Sequence, residues 1–284
     1  MAMLVVEGVD YEYGDRAVLR GFDLEAREGE MVGVVGPNGA GKTTLMKVVS
    51  GVFRPSKGRV LIGGSDVGSL SDGERARLVS VVPQNPELPL SFSAIDLVLM
   101  GRNPHLRLFQ WPGTEDLEVA KRAMQLTDVW PLASREIGSL SGGERQRTVV
   151  AMAVAQEAPV LLLDEPTSNL DLAHQTGIMD LTRDLQERHG GTILVAMHDL
   201  TLAAQYCDRV VMLERGRAYA DGPPRDVLTA DNIARVYGTE VFVTAHPQGG
   251  LPACHPGDGP WRPDAGRRKV QGELTGPSIG PQGL

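Results

Sequence analysis

The chain has 284 residues and a formal net charge of −8, enough length for one or two domains of roughly 100 to 200 residues each. The acidic balance disfavours a nucleic-acid-binding protein, and 42% hydrophobic with 23% charged residues excludes a disordered chain or a coiled coil over the bulk of the length. Cys207 and Cys254 set no disulfide framework, no signal peptide is visible, and no apolar run approaches the ~20 residues of a membrane span, so a soluble cytoplasmic protein is expected.

Val5-Val6-Glu7-Gly8-Val9 reads as a first strand and Asp23-Leu24-Glu25-Ala26 as a second, before Gly29-Glu30 turns the chain. Met31-Val32-Gly33-Val34-Val35 is short, apolar and β-branched, the pattern of a buried strand. A glycine-rich turn, a helix over 42–50 and a strand over 58–62 follow. Ser71 starts another helix with Asp72 and Glu74 in its first turn, where negative charge suits the helix dipole. Segments 94–101, 115–127 and 142–155 carry apolar residues at helical spacing, which predicts a mostly helical insert over about 85–157. The α/β alternation then resumes: a strand over 160–164, a helix over 173–189 closed by Gly190-Gly191, a strand over 192–197, a helix over 200–207 and a strand over 210–213. The last 39 residues hold 7 Pro and 9 Gly, which leaves little apolar surface to offset backbone entropy. A disordered tail is expected over 246–284, mobile after about His255.

One internal match stands out. Leu70-Ser71-Asp72-Gly73-Glu74-Arg75-Ala76-Arg77 agrees with Leu140-Ser141-Gly142-Gly143-Glu144-Arg145-Gln146-Arg147 at six of eight positions. Asp72 would repel a phosphate where Gly142 would admit one. Phosphate chemistry is therefore assigned to the second copy, and the first is expected to be an ordinary helix start that matches by coincidence.

Gly36-Pro37-Asn38-Gly39-Ala40-Gly41-Lys42-Thr43 fits the P-loop pattern, between a predicted strand and a predicted helix. Its glycines let backbone N–H groups turn inward around phosphates, and the helix N-terminus adds partial positive charge. Lys42 would reach the β- and γ-phosphates and Thr43 would ligate Mg²⁺. Asp164, ending an apolar strand, is the complementary Mg²⁺ ligand, and Glu165 beside it is placed to act as general base on an attacking water. Ser141, Gly142 and Gly143 open a helix and make a second anion site. Two phosphate sites in one chain make sense if two copies pair head to tail, each completing the other's nucleotide site.

In this order of motifs the sequence resembles the ATP-binding subunits of ABC transporters. The P-loop comes first, then Gln84 after Val81-Val82-Pro83, the segment Leu140–Glu144, Asp164-Glu165, and His198 after a strand. The resemblance covers about 3–245. It implies an α/β fold, a P-loop NTPase of the ABC nucleotide-binding type with an antiparallel β subdomain and the helical insert. It further implies that ATP and Mg²⁺ bind along Gly36 to Thr44, including Pro37, Ala40 and Thr44. Tyr13 would stack on adenine, Gln84 would touch Mg²⁺ and the attacking water, and His198 would touch the γ-phosphate. Ser168-Asn169-Leu170-Asp171 would cross the dimer interface, with Asn169 where relatives more often carry Gly or Ala. Implied partners are a second copy, a permease dimer and a substrate-binding protein, with no nucleic acid, at the cytoplasmic face of the membrane.

Met100-Gly101-Arg102-Asn103-Pro104-His105, the run His198–Ala204, Asp221-Gly222-Pro223-Pro224 and Val236-Tyr237-Gly238 are similar to importers of ferric siderophore, haem and cobalamin, ranked in that order. A soluble repair-type relative would place a long coiled coil between P-loop and signature, but Lys42 and Ser141 are only 99 positions apart, without sustained heptads. An exporter ATPase is the other alternative. His105, His246 and His255 are expected to be loop residues, not metal ligands, and Arg267-Arg268-Lys269 a solvated basic run.

Overall fold

The structure is a computed structural model, and it describes residues 1–257 apart from 108, 169, 247 and 248. Two long strands, β1 (Ala2–Tyr13) and β2 (Arg16–Arg27), form a hairpin that turns at Gly14-Asp15, so Tyr13 faces Arg16 at its tip. Strand β3 (Met31–Val35) follows, every residue buried, then the P-loop and helix α1 (Lys42–Val49). Strands β4 (Lys57–Ile62) and β5 (Ser65–Asp66), the short helix α2 (Asp72–Ala76) and strand β6 (Val79–Val82) come next. Helices α3 (Ala94–Met100), α4 (Thr114–Leu126) and α5 (Gly142–Ala155) make up the helical insert, as the apolar spacing predicts. The remainder alternates: β7 (Val160–Asp164), α6 (Leu172–His189), β8 (Thr192–Ala196), α7 (Leu200–Tyr206), β9 (Arg209–Glu214), β10 (Arg217–Gly222), α8 (Pro224–Val227), α9 (Ala230–Tyr237), β11 (Val241–Ala245) and β12 (Pro252–Pro256).

An antiparallel sheet in the order β2-β1-β4-β5 packs beside a six-stranded sheet in the order β10-β9-β3-β8-β7-β6, parallel except for its β10 edge. Side chains alternate in a strand, and here both faces are covered. Met31, Val35, Leu163 and Val195 enter one apolar cluster together with the helical insert. Val32, Val34, Leu162 and Leu194 enter the other, with α1 and the antiparallel sheet. This double burial is why β3, β7 and β8 read as unbroken apolar runs rather than as alternating strands.

Val34 and Asp164 both pair with Ala196 in the parallel ladder. The loops after β3, β7 and β8 therefore leave the sheet side by side at its carboxyl edge, where open α/β sheets bind ligands.

Several elements went unread in the sequence. The expected boundary at 245 is too early: β12 pairs with β11, Phe242 facing His255, and the Cys254 N–H donates to Thr201 Oγ1 at 3.1 Å. Backbone pairing and burial of Ala253 hold this segment, which the Pro and Gly content of the whole 39-residue stretch obscures. Residues 258–284, with Arg267-Arg268-Lys269, lie outside the described residues. The first copy of the internal match is an ordinary helix start, as expected, and both copies cap their helices in the same way. Among the described residues, no helix is long and apolar enough to cross a membrane, both cysteines are free, and no His/Cys/Asp/Glu cluster could hold a metal. His105 is held by the carbonyl of Gln156, 2.8 Å from its Nε2.

Candidate functional site

A cleft of about 570 Å³ opens at the carboxyl edge of the parallel sheet, lined among others by Tyr13, Lys42, Thr43, Gln84, Glu165 and His198. They come from five places in the chain, Lys42 and Thr43 sharing the start of α1, and the strand register explains why the loops after β3, β7 and β8 meet. The P-loop wraps its floor. A Cβ on Gly36 would lie 2.6 Å from the Leu213 carbonyl oxygen, so only glycine lets the loop start this close to β9. Gly41, at φ 113, stands at the N-cap of α1 in a conformation that favours glycine, and leaves the first helical N–H groups uncapped by any side chain.

Lys42 is 5% exposed. Its ammonium donates to the Gly36 carbonyl at 2.8 Å and lies 4.0 Å from Glu165 Oε1. Burial draws its pKa down, against the Glu165 and Asp164 carboxylates, which push it up. Thr43 Oγ1 donates to Asp164 Oδ1 at 3.3 Å. Burial pushes the Asp164 carboxyl above the usual carboxylate range, although the Thr43 hydrogen bond pulls the other way. A hydroxyl and a carboxylate this close, the carboxylate short of compensating charge, are the hard oxygen donors that suit a divalent cation such as Mg²⁺.

Glu165 is the hub of the cleft. It is 7% exposed, accepts a hydrogen bond from Gln84 Nε2, and lies 2.5 Å from His198 Nε2. Its backbone sits at φ 52, uncommon for a residue with a side chain, and its N–H donates to the Ala196 carbonyl at 3.1 Å. A hydrogen bond to β8 thus holds a strained turn that aims the carboxylate into the cleft.

Tyr13 is 47% exposed at the hairpin tip. Tyr11 and Phe53 buttress it edge-on, with ring centroids 5.1 and 5.5 Å away, which leaves a face for a planar ligand. Asn38, Gly39, Gly41 and Thr44 also line the cleft. Arg16 and Val18 line it too and were missed. Arg16 could have been found, since a two-residue hairpin turn after Tyr13 puts it opposite.

Ser141, Gly142, Gly143 and Asp171 do not line this cleft. Ser141 caps α5, its hydroxyl accepting from the Glu144 N–H while the Glu144 carboxylate accepts from the Ser141 N–H. Asp171 caps α6 by accepting from the His174 N–H. Ser141, Gly142 and Asp171 are exposed, so this second anion site faces outward. Asn169 lies outside the described residues.

A family model described as ABC transporter matches residues 19–168. The chain is 43% identical over 254 residues to the cobalamin import ATP-binding protein BtuD of Halobacterium salinarum, aligning 89% of this chain but 63% of that one. It is 42% identical over 258 residues to the hemin import ATP-binding protein HmuV of Pseudomonas putida, with 88% of this chain and 98% of that one aligned. YusV of Bacillus subtilis, named for siderophore transport, is 37% identical, with 90% and 93% aligned. Among solved structures, a transporter described as of metal-chelate type, in an inward-facing conformation, superposes with a TM-score of 0.78 at 30% identity, covering 90% of this chain and 96% of that one. A dimeric ATP-binding cassette bound to ADP and Pi superposes at 0.69 and 28% identity, covering 78% and 99%. With the model matching more than half its length and a relative aligned almost end to end, the chain belongs to the ABC transporter family, and the P-loop cleft lies in its ATP-binding domain.

Proposed function

We propose that the chain is the ATP-hydrolysing subunit of an importer for a metal chelate, working as a head-to-tail pair at the cytoplasmic face of a membrane beneath a permease dimer fed by a substrate-binding protein. The observation that carries the hydrolytic reading is the convergence of Lys42, Thr43 with Asp164, and Gln84 with Glu165 and His198 on one cleft. The cargo class is carried over from the relatives named for cobalamin, hemin and siderophore. Within it the sequence motifs rank ferric siderophore first.

Phosphoryl transfer to water needs positioning and charge neutralisation more than covalent chemistry. Tyr13 stacks on adenine, while Lys42 and the N–H groups of Gly39, Gly41 and Thr44 hold the phosphates, in a loop whose Ala40 N–H donates to the Pro37 carbonyl. Thr43, Asp164 and Gln84 would hold Mg²⁺, which neutralises charge on the β- and γ-phosphates when bound. Glu165 takes the proton of the attacking water, with Gln84 and His198 fixing its carboxylate. Ser141, Gly142 and Gly143 of a second copy close over the γ-phosphate, and Asp171 borders the same interface. ATP then favours the closed pair, and hydrolysis releases it, because only the intact nucleotide binds both halves.

Uptake of labelled ferric siderophore, haem and cobalamin is to be compared in cells carrying this chain or its Glu165→Gln form. One chelate entering only with the active chain is the expected result. If none enters while the purified chain hydrolyses ATP, the import reading falls and an exporter role becomes the better one.

A further inference from the structure

Outside the cleft, the start of α5 has a partner that the nucleotide chemistry does not explain. Ser141 and Gly142 are exposed, but Gly143 between them and the helix body is buried. The imidazole of His174, on the first turn of α6, covers it. A Cβ at Gly143 would stand 2.0 Å from His174 Cδ2 and 2.7 Å from Nε2, so the ring rests directly on the glycine backbone. One turn further along both helices the relation is reversed: a Cβ on Gly177 would stand 2.8 Å from Arg147 Nη2. The two helices thus interlock through two glycine contacts, each filled by a side chain of the other helix.

The ring is not free to turn away. His174 Nδ1 lies 2.7 Å from Asp171 Oδ1, and the same oxygen accepts from the His174 backbone N–H at 2.9 Å. Since a carboxylate only accepts, Nδ1 carries the proton and Nε2 is left at the Gly143 surface. Asp171 ends the segment that runs from Glu165, whose carbonyl accepts from the Ser168 N–H at 3.1 Å.

We infer that His174 is a positioning residue for the half of the ATP site that one copy lends to the other. Its ring fastens the Ser141-Gly142-Gly143 turn to Asp171 at the start of α6, so the two reach the neighbouring nucleotide together. The inference rests on the head-to-tail reading of the proposed function. It does not make His174 a catalytic residue.

The test uses the full chain in a Glu165→Gln background, with His174→Ala and His174→Phe added singly. ATP affinity of the dilute monomer and ATP-driven dimerisation by sedimentation are measured for each. His174→Ala is expected to leave monomer affinity within twofold and to weaken dimerisation about tenfold, because Asp171 still caps α6 through the backbone. His174→Phe keeps a ring over Gly143 and is expected to recover part of the loss. In the Glu165-containing chain, His174→Ala is expected to lower kcat with little change in KM. Dimerisation of His174→Ala equal to its parent overturns the proposal while the paired-subunit reading stands. Loss of monomer ATP affinity overturns it as well, showing a general structural role. If the Glu165→Gln parent itself stays monomeric with ATP, the paired-subunit reading falls and this proposal with it.

Discussion

Leu70–Arg77 and Leu140–Arg147 begin almost identically and end in different uses. Each is preceded by a 3-10 turn and an extended leucine. Each starts its helix on a serine at φ −65 and closes a reciprocal cap with a glutamate three residues on. In both, hydrogen bonds from the capping serine hold the glutamate below the usual carboxylate range. The copies part in two respects. The first helical residue is Asp72 in one and Gly142 in the other. A Cβ added to the shared glycine after it would meet nothing within 4 Å in the first copy and the His174 ring in the second. Local sequence thus sets the helix start, while the residue at the opening and the neighbour packed over it decide whether that start can receive an anion.

The largest effect comes from the background needed to read the second copy at all. Glu165→Gln removes the general base but keeps the shape of the cleft. It is expected to lower ATP turnover by at least about 100-fold while ATP still binds and the closed pair accumulates. Turnover equal to the parent chain sinks the role given to Glu165.

Changes in the second copy come next. Ser141→Arg is expected to lower hydrolysis on the order of 100-fold, as loss of a donor aimed at developing charge does elsewhere, with monomer ATP affinity unchanged. Gly142→Asp, which gives the second copy the opening residue of the first, is expected to act in the same direction through repulsion of phosphate. Weaker ATP binding by the isolated monomer in either variant would contradict a site that acts on the neighbouring subunit.

Asp164 shows the same electrostatics inverted, a carboxylate kept where burial disfavours it. Its pKa is raised in the fold, so the native state holds that proton more tightly than the unfolded chain. The resulting cost is absent below the ordinary carboxylate pKa and complete above the raised one. Asp164→Asn should therefore raise Tm near neutral pH, while hydrolysis falls. The Tm advantage should shrink as pH drops through the raised pKa. Scanning calorimetry across that range checks the sign, and an advantage that grows on acidification refutes the assignment.

Much of this was legible in the residues, for a physical reason. Strands buried on both faces advertise themselves as apolar runs, so β3, β7 and β8 and the motifs at their ends could be placed without coordinates. The hairpin β11–β12 could not, because its stability comes from pairing and from the Thr201 contact rather than from its own alternation. Arg16 and His174 were missed for a related reason. Each owes its position to a residue across a turn or on another helix, Tyr13 for one and Gly143 for the other. Sequence patterns report a residue's own element better than what that element is pressed against.

The smallest effect is the most direct test of the comparison. Asp72→Gly gives the first copy the sequence of the second at the helix opening. If local sequence sufficed for anion chemistry, the variant would gain a phosphate site. The structure argues that it will not. The helix that Asp72 opens has five residues against fourteen in the second copy, and nothing covers Gly73. The change removes the ion pair of Asp72 with Arg75 and one first-turn carboxylate, each of a kind that contributes little at a helix surface. ATP turnover, monomer affinity and ATP-driven dimerisation are all expected within twofold of the parent chain. An effect comparable to that of Gly142→Asp would mean that the first copy also faces the nucleotide, and the division of labour between the two segments would have to be redrawn.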